Sequence, residues 1–235
     1  MSDLERVDYA DGDQPLTGWL ARPDGTPRAA VVVYPTIVNA NPPVERRARM
    51  LADAGCLAMI ADLYGEPVES FETVGPLAEK LRQSAGHYRA RLRAAVAALR
   101  GHPEASGLAM AAIGYCLGGQ AALEIARDGA DLAAVVSFHG LLQTQQPADP
   151  GDIKARILVC HGDADPMVPR SQVTAFWEEM DAAGANWHFH SYSGVRHGFT
   201  DPGSDDRDFD AVAYDASADR QSWAAMLSLF DEVFG

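Results

Sequence analysis

One stretch of the chain, residues 111–123, reads AAIGYCLGGQAAL. Its apolar first half predicts a buried strand, and its second half, from Gly118 onward, predicts a helix. Between them lies Gly-x-Cys-x-Gly, the spacing of a nucleophile elbow, with Cys116 where a serine is more common. So sharp a turn leaves no room for side chains at Gly114 or Gly118. It also places the sulfur at a helix N-terminus, where the dipole favours a thiolate and the backbone N–H of Leu117 faces a developing oxyanion.

Strands and helices alternate on both sides of this turn. Residues 29–34 form a continuous apolar run with three consecutive valines, which is typical of a strand buried on both faces. Further strands are predicted at 56–61, 108–115, 132–138, 157–161 and 186–192, and helices at 44–54, 73–99 with a break near Gly86, 118–127, 170–183 and 212–234. This alternation predicts one α/β domain over residues 1–235, in which a mostly parallel central sheet has helices on both faces. Residues 1–22 are expected to form an N-terminal hairpin packed on the sheet.

Composition and charge exclude several classes of function. Of 235 residues, 47% are hydrophobic and 22% charged, which is ordinary for a globular chain and excludes bulk disorder. The net charge of −14 repels phosphate backbones and anionic membranes, so we expect neither nucleic acid nor a membrane as a partner. We expect a small-molecule substrate and a monomer or homodimer.

The cysteine pattern predicts a cytoplasmic location. Cys56, Cys116 and Cys160 cannot all pair, and none lies in a zinc-binding spacing, which favours a reduced chain. The N-terminus lacks the basic and then apolar pattern of a secretory signal. No apolar run is long enough to predict a transmembrane helix.

Two further motifs follow predicted strands. The segment 161–169, HGDADPMVP, places a carboxylate, Asp163 or Asp165, on a loop at a strand end. The segment 194–199, GVRHGF, places His197 on another such loop. The order of nucleophile, acid and histidine is the order of the α/β-hydrolase fold.

Together these motifs resemble the dienelactone hydrolase family of α/β-hydrolases, over about residues 31–234. The resemblance implies a catalytic triad of Cys116, His197 and Asp165, and leaves Asp163 to cap the turn. It implies hydrolysis of a small ester or lactone through an acyl-cysteine, with no cofactor and no metal. It also implies a second oxyanion donor, the backbone N–H of Ile37, to within one residue.

The chain departs from the family pattern at two places. Thr36 occupies the position of a glutamate that contacts the resting thiol in typical members, and a threonine cannot accept the thiol proton. The family also holds a substrate carboxylate with arginines, one of them just beyond the catalytic histidine, but residues 198–206 contain none. Arg82 and Arg196 are the remaining candidates. The departures argue against a carboxylated dienelactone as the substrate.

Other residues are weaker candidates. The pocket lining is expected to include Tyr64, Tyr115, His139 and Phe199. His188 and His190 share a strand face but lack a third metal ligand at suitable spacing. The aspartate-rich segment 200–210 is interpreted as a solvated loop.

Three alternative functions remain open at this point. The same fold supports a non-catalytic small-molecule binder or sensor, a hypothesis that the Thr36 substitution favours. A thioesterase would share the acyl chemistry. Redox chemistry at Cys116 would need a resolving cysteine, and Cys56 and Cys160 lie in predicted buried strands. If His197 acts as the base, the pH profile should rise with a group near neutrality.

Overall fold

The computed structural model describes residues 4–68 and 73–235. Its strands are β1 (Glu5–Asp11), β2 (Gln14–Ala21), β3 (Ala29–Tyr34), β4 (Cys56–Ile60), β5 (Met110–Tyr115), β6 (Ala134–Phe138), β7 (Arg156–Gly162) and β8 (Trp187–Tyr192). Its α-helices are α1 (Pro42–Asp53), α2 (Val74–Leu81), α3 (Ala85–Arg100), α4 (Leu117–Arg127), α5 (Arg170–Ala182) and α6 (Ala216–Phe234). Two short 3₁₀ turns lie at Pro103–Ala105 and Pro202–Ser204.

The strands form one sheet in the order β1-β2-β4-β3-β5-β6-β7-β8. Strands β3 to β8 run parallel, and β1 and β2 are antiparallel to their neighbours. Helices α1 and α6 cover one face of the sheet, and α2 to α5 cover the other. The predicted mostly parallel α/β sheet is confirmed.

The N-terminal hairpin lies elsewhere than the sequence suggested. It was expected to pack on the sheet, but it extends the sheet instead, because β2 pairs with β4 from Trp19↔Ile60 to Ala21↔Ala58. This pairing satisfies the backbone N–H and C=O groups along β4 that would otherwise form an open edge. The new edge, β1, is more exposed and carries Glu5, Arg6 and Asp8, the kind of charged edge that blocks further pairing.

Two helix boundaries also differ from the prediction. The break in the region 73–99 falls at residues 82–84 rather than near Gly86, because the hydroxyl of Ser84 accepts the N–H of His87 and caps α3. The last helix begins at Ala216 rather than at residue 212, because the carboxylate of Asp215 caps it.

The parallel strands β3 to β8 all end at the same edge of the sheet, which is where α/β folds build their sites. The residues that follow β3, β5, β6, β7 and β8 therefore meet there. No helix in the described part of the chain is both long and apolar enough to cross a membrane.

Candidate active site

Cys116 occupies the turn between β5 and α4 with φ 56° and ψ −118°, a strained conformation for a residue with a side chain. The glycines on either side allow the chain to turn so sharply. A Cβ at Gly114 would lie 1.8 Å from the carbonyl oxygen of Gly118, and one at Gly118 would lie 2.0 Å from that of Tyr34. The turn leaves the thiol half-buried at the N-terminus of α4.

The first testable prediction concerns this close packing. Gly118→Ala forces the added methyl group against the backbone of Tyr34 and Pro35, so we expect the free energy of unfolding to fall by about 3 kcal/mol. Gly86→Ala is the matched control, since it lies in α3 with nothing within 4 Å of its added Cβ. It should leave stability unchanged or slightly raised. Urea denaturation followed by circular dichroism measures both, and equal stability of the two variants would contradict the prediction.

The backbone N–H groups of Leu117 and Ile37 lie near the Cys116 sulfur and help to lower the pKa of its thiol. The loop that carries Ile37 is held from beneath. The hydroxyl of Tyr64 donates to the carbonyl of Ile37 at 2.8 Å, and Asn39, at φ 63°, donates to the carboxylate of Asp62 at 2.9 Å. The sulfur therefore lies between two fixed donors, the arrangement that stabilises an oxyanion formed at an attached acyl group.

His197 follows β8 and is buried beside Asp165. Its Nδ1 atom lies 2.7 Å from Oδ2 of Asp165, whose Oδ1 accepts the backbone N–H of Met167 at 2.8 Å. The backbone of His197 pairs with that of Val212, which holds the main chain of the loop in place. Its Nε2 atom is buried and has no hydrogen-bond partner among the described residues. The ring interacts electrostatically with the Cys116 thiol.

The protonation states of this pair are coupled. Burial opposes ionisation of the Cys116 thiol, but the positive charge of His197 and the two N–H donors outweigh burial and lower its pKa. Burial likewise opposes protonation of His197, but the thiolate and the Asp165 carboxylate outweigh it and raise its pKa to about 10. These interactions shift the pair toward its thiolate and imidazolium forms.

A cavity of about 680 Å³ opens above the sulfur. Its walls are largely apolar and include Ile37, Val44, Leu141, Met167 and Val212. Such a lining accommodates an apolar organic substrate better than a highly charged one.

The predicted lining residues divide into two groups. Thr36, Tyr115, His139 and Arg82 line the cavity, as do Ile37, Leu117, Cys116 and His197.

The other three predicted lining residues lie elsewhere. Arg196 is exposed and does not line the cavity. Tyr64 lies beneath the loop of Ile37, and Phe199 is fully buried behind the ring of His139. Asp163, expected to cap a turn, instead forms an exposed ion pair with Arg170, with bonds of 3.0 and 2.6 Å.

The segment 200–210 is not a wholly solvated loop. Asp201 accepts hydrogen bonds from the N–H of Gly203 and from the guanidinium of Arg207, which fold the segment back onto the site. Residues from this segment, including Asp208 and Phe209, form one wall of the cavity. The Phe209 side chain is 50% exposed, so an apolar surface remains open at the cavity mouth.

Sequence reasoning missed the buried Arg47. It reaches from α1 to the carbonyl of Thr200 at 2.9 Å and pairs with Asp219 on α6. Its guanidinium also lies over the rings of Tyr115 and Trp223. An arginine on an amphipathic helix normally faces solvent, so the sequence carried no signal for this contact. Asn39 was more accessible to prediction, because asparagine tolerates positive φ.

His188 and His190 lie exposed on β8. Within the described residues, no group of three or more metal-ligating side chains is arranged to hold an ion.

The α/β-hydrolase class is defined by an open, mostly parallel sheet with a nucleophile on a strained strand–helix turn. Its acid and its histidine follow later strands, as Asp165 and His197 do here. The chain belongs to the dienelactone hydrolase family, whose sequence profile matches residues 16–234. It is therefore a hydrolase by family, and the resemblance noted from its motifs is confirmed.

Three known proteins are similar to this chain. A solved dienelactone hydrolase-like promiscuous phosphotriesterase from metagenomic libraries is 37% identical, with a TM-score of 0.93 over 99% of this chain and 98% of its own. An uncharacterized protein of Caenorhabditis elegans is 40% identical over 152 residues, which are 63% of this chain and 96% of that protein. A probable 2-oxo-3-(5-oxofuran-2-ylidene)propanoate lactonase of Bradyrhizobium sp is 29% identical over 211 residues, 83% of this chain and 84% of that protein.

Proposed function

We propose that this protein hydrolyses ester or lactone bonds of small molecules through a triad of Cys116, His197 and Asp165. One observation carries the proposal. The Cys116 sulfur lies near two backbone N–H groups and interacts with an imidazole whose other nitrogen is hydrogen-bonded to a buried carboxylate, at the floor of an apolar cavity. This arrangement supports the assignment of a nucleophile, a base, an orienting acid and oxyanion donors for acyl transfer.

The reaction follows from these positions. The Cys116 thiolate attacks the carbonyl carbon, and the N–H groups of Leu117 and Ile37 stabilise the resulting oxyanion. When the C–O bond breaks, the His197 imidazolium gives its Nε2 proton to the leaving alkoxide. Water then attacks the thioester while Nε2 takes a proton from it, and cleavage of the C–S bond releases the acid and restores the ion pair. Asp165 holds the imidazole in one tautomer throughout.

Thr36 affects how the nucleophile is activated. A threonine at this position, with its hydroxyl accepting a hydrogen bond from Asn41 at 3.0 Å, offers the sulfur no carboxylate. We therefore propose that the resting thiol is already ionised by His197. This modifies the pH profile expected from the sequence, because the activity should no longer depend on a group that titrates near neutrality.

The second prediction tests this resting ion pair. Iodoacetamide should alkylate Cys116 at similar rates at about pH 8.5 and 6.5, whereas a free thiol with a pKa of about 8.5 slows about fiftyfold over that range. The rate should fall only in more acidic solution, where the thiolate is protonated below its lowered pKa. The unfolded protein in urea is the reference. Cys56 and Cys160 should stay unlabelled in the folded protein, because burial raises the pKa of both thiols. A fiftyfold loss in the folded protein would contradict the prediction.

The cavity also limits the substrate class. Arg47, Arg82 and Arg207 all line it. Arg47 is paired with Asp219 and Arg207 with Asp201, so their charges are already compensated, and the second predicted arginine, Arg196, lies outside the cavity. We therefore propose neutral esters and lactones rather than a carboxylated dienelactone. The lactonase description of the Bradyrhizobium relative supports the lactone class. The net charge of −14 supports a small molecule rather than a nucleic acid as partner.

Phosphotriester hydrolysis is a second candidate, since the metagenomic relative is described as a promiscuous phosphotriesterase. The same thiolate would attack phosphorus, and the same two N–H groups would bind the phosphoryl oxygen. Thioesters remain a variant of the acyl reaction. A redox role has less support, because Cys56 and Cys160 are both buried away from solvent.

Adduct formation tests the proposed function directly. The protein is mixed with a panel of esters, lactones, thioesters and phosphotriesters, quenched in acid and analysed by intact and peptide mass spectrometry. An acyl or phosphoryl mass on the peptide that contains Cys116, together with released product, supports the proposal and identifies the class. The proposal is contradicted if wild type and Cys116→Ala both consume the substrate and neither forms an adduct. Binding of a panel compound without turnover would favour the sensor alternative.

A further inference from the structure

His139 follows β6 at the same sheet edge as the triad, and the proposed reaction does not use it. It is 2% exposed and has φ 40°, a backbone conformation that side chains rarely adopt. Its ring lies edge-on to that of His197, with centroids 5.1 Å apart, and also contacts Phe199. Such a strained conformation costs free energy and persists only where the surrounding structure holds it in place.

Both ring nitrogens of His139 have partners. Nδ1 accepts the backbone N–H of Cys116 at 3.2 Å, an N–H that also approaches the carbonyl of Phe138 at 3.1 Å. Nε2 lies 2.9 Å from the hydroxyl of Thr200. Burial and the positive charge of His197 hold the pKa of His139 well below its ordinary value, so its ring is neutral. Because Nδ1 accepts, the ring proton is on Nε2 and is donated to Thr200.

Thr200 is itself fixed in place. It lies three residues after His197, and its carbonyl accepts hydrogen bonds from Arg47 at 2.9 Å and Arg46 at 3.3 Å. The His139 ring therefore joins the turn that carries the sulfur to the loop that carries the imidazole. His161 differs from His139 in this respect. It is equally buried, but neither of its ring nitrogens has a hydrogen-bond partner among the described residues.

We propose that His139 is a positioning residue, which fixes the sulfur of Cys116 and the imidazole of His197 relative to each other by linking the Cys116 N–H to the Thr200 hydroxyl. The inference rests on the proposed function and adds to it a second histidine that never exchanges a proton with the substrate. It predicts that the two ends of the link act as one unit. Breaking either end should affect the chemical step rather than substrate binding.

Two substitutions break the link at Thr200. His139→Asn tolerates positive φ and keeps an acceptor for the Cys116 N–H, but its side chain is too short to reach Thr200. Thr200→Val keeps the shape of the side chain and removes the hydroxyl. Each should lower kcat for a nitrophenyl ester by about tenfold, with KM within about twofold of wild type. The double variant should be no worse than the poorer single variant, and Thr200→Ser, which keeps the hydroxyl, should recover most of the lost kcat.

Thr174→Val is the matched control, because Thr174 lies exposed on α5 and bonds only to its own helix. The proposal is overturned if Thr200→Val keeps kcat within about twofold of wild type, or if the effects of the two single variants multiply in the double variant. If His139→Asn fails to fold, Thr200→Val and Thr200→Ser decide the matter alone. Failure of the proposed function would show separately, as full ester hydrolysis by Cys116→Ala.

Discussion

Cys116→Ala should lower kcat for ester hydrolysis by about four orders of magnitude or more, because no other described residue of the cavity is placed to form the acyl intermediate. The two N–H donors and the cavity remain, so a small rate above that of water should persist, and KM should change little. The measurement is the release of nitrophenol from a neutral nitrophenyl ester under saturating conditions.

Cys160→Ala is the matched control for this substitution. Cys160 is fully buried in β7 and its sulfur takes no part in the site, so its loss should leave kcat within about twofold. Mass spectrometry of each preparation excludes contaminating wild-type enzyme. Cys116→Ala protein that retained a tenth of the wild-type kcat would remove the sulfur from the mechanism.

Asp165→Asn should lower kcat by about 10³- to 10⁴-fold without unfolding the protein. The structure gives a specific reason. Since Oδ1 of Asp165 accepts the N–H of Met167, the asparagine oxygen is held at that position and its NH₂ group is turned toward His197. Nδ1 must then accept rather than donate, which moves the ring proton to Nε2 and leaves no lone pair facing the sulfur.

Asp163→Asn makes the same chemical change two residues away. Asp163 pairs with Arg170 at the surface, and an exposed ion pair contributes little to stability or to the site. Its kcat should stay within about twofold of wild type, and its alkylation rate at Cys116 should be unchanged. By contrast, Asp165→Asn should also slow alkylation at about pH 6.5, since the neutral tautomer no longer stabilises the thiolate. Equal behaviour of the two variants would show that the carboxylate of Asp165 does not orient His197.

Local sequence patterns were sufficient to predict the sheet and the turn that carries Cys116. Residues 29–34 and 111–115 lie in strands that are buried on both faces. Each strand is therefore apolar throughout and is easy to recognise in the sequence. The glycines at 114 and 118 indicated the turn, because a Cβ at either position would lie 2.0 Å or less from a backbone oxygen. The position of the hairpin was harder to predict, since pairing β2 with β4 depends on which strand edge is left open.

The sequence by itself determined the α/β class, the family and three chemically suited residues at the ends of strands β5, β7 and β8. Only the tertiary structure decided how these residues lie relative to one another. The raised pKa of His197, the bond from His139 to Thr200, and the cavity wall formed by Asp208 and Phe209 each join segments far apart in the chain. Such contacts depend on distances of a few ångströms and on exclusion of water, which arise only when the sheet brings its strand ends together.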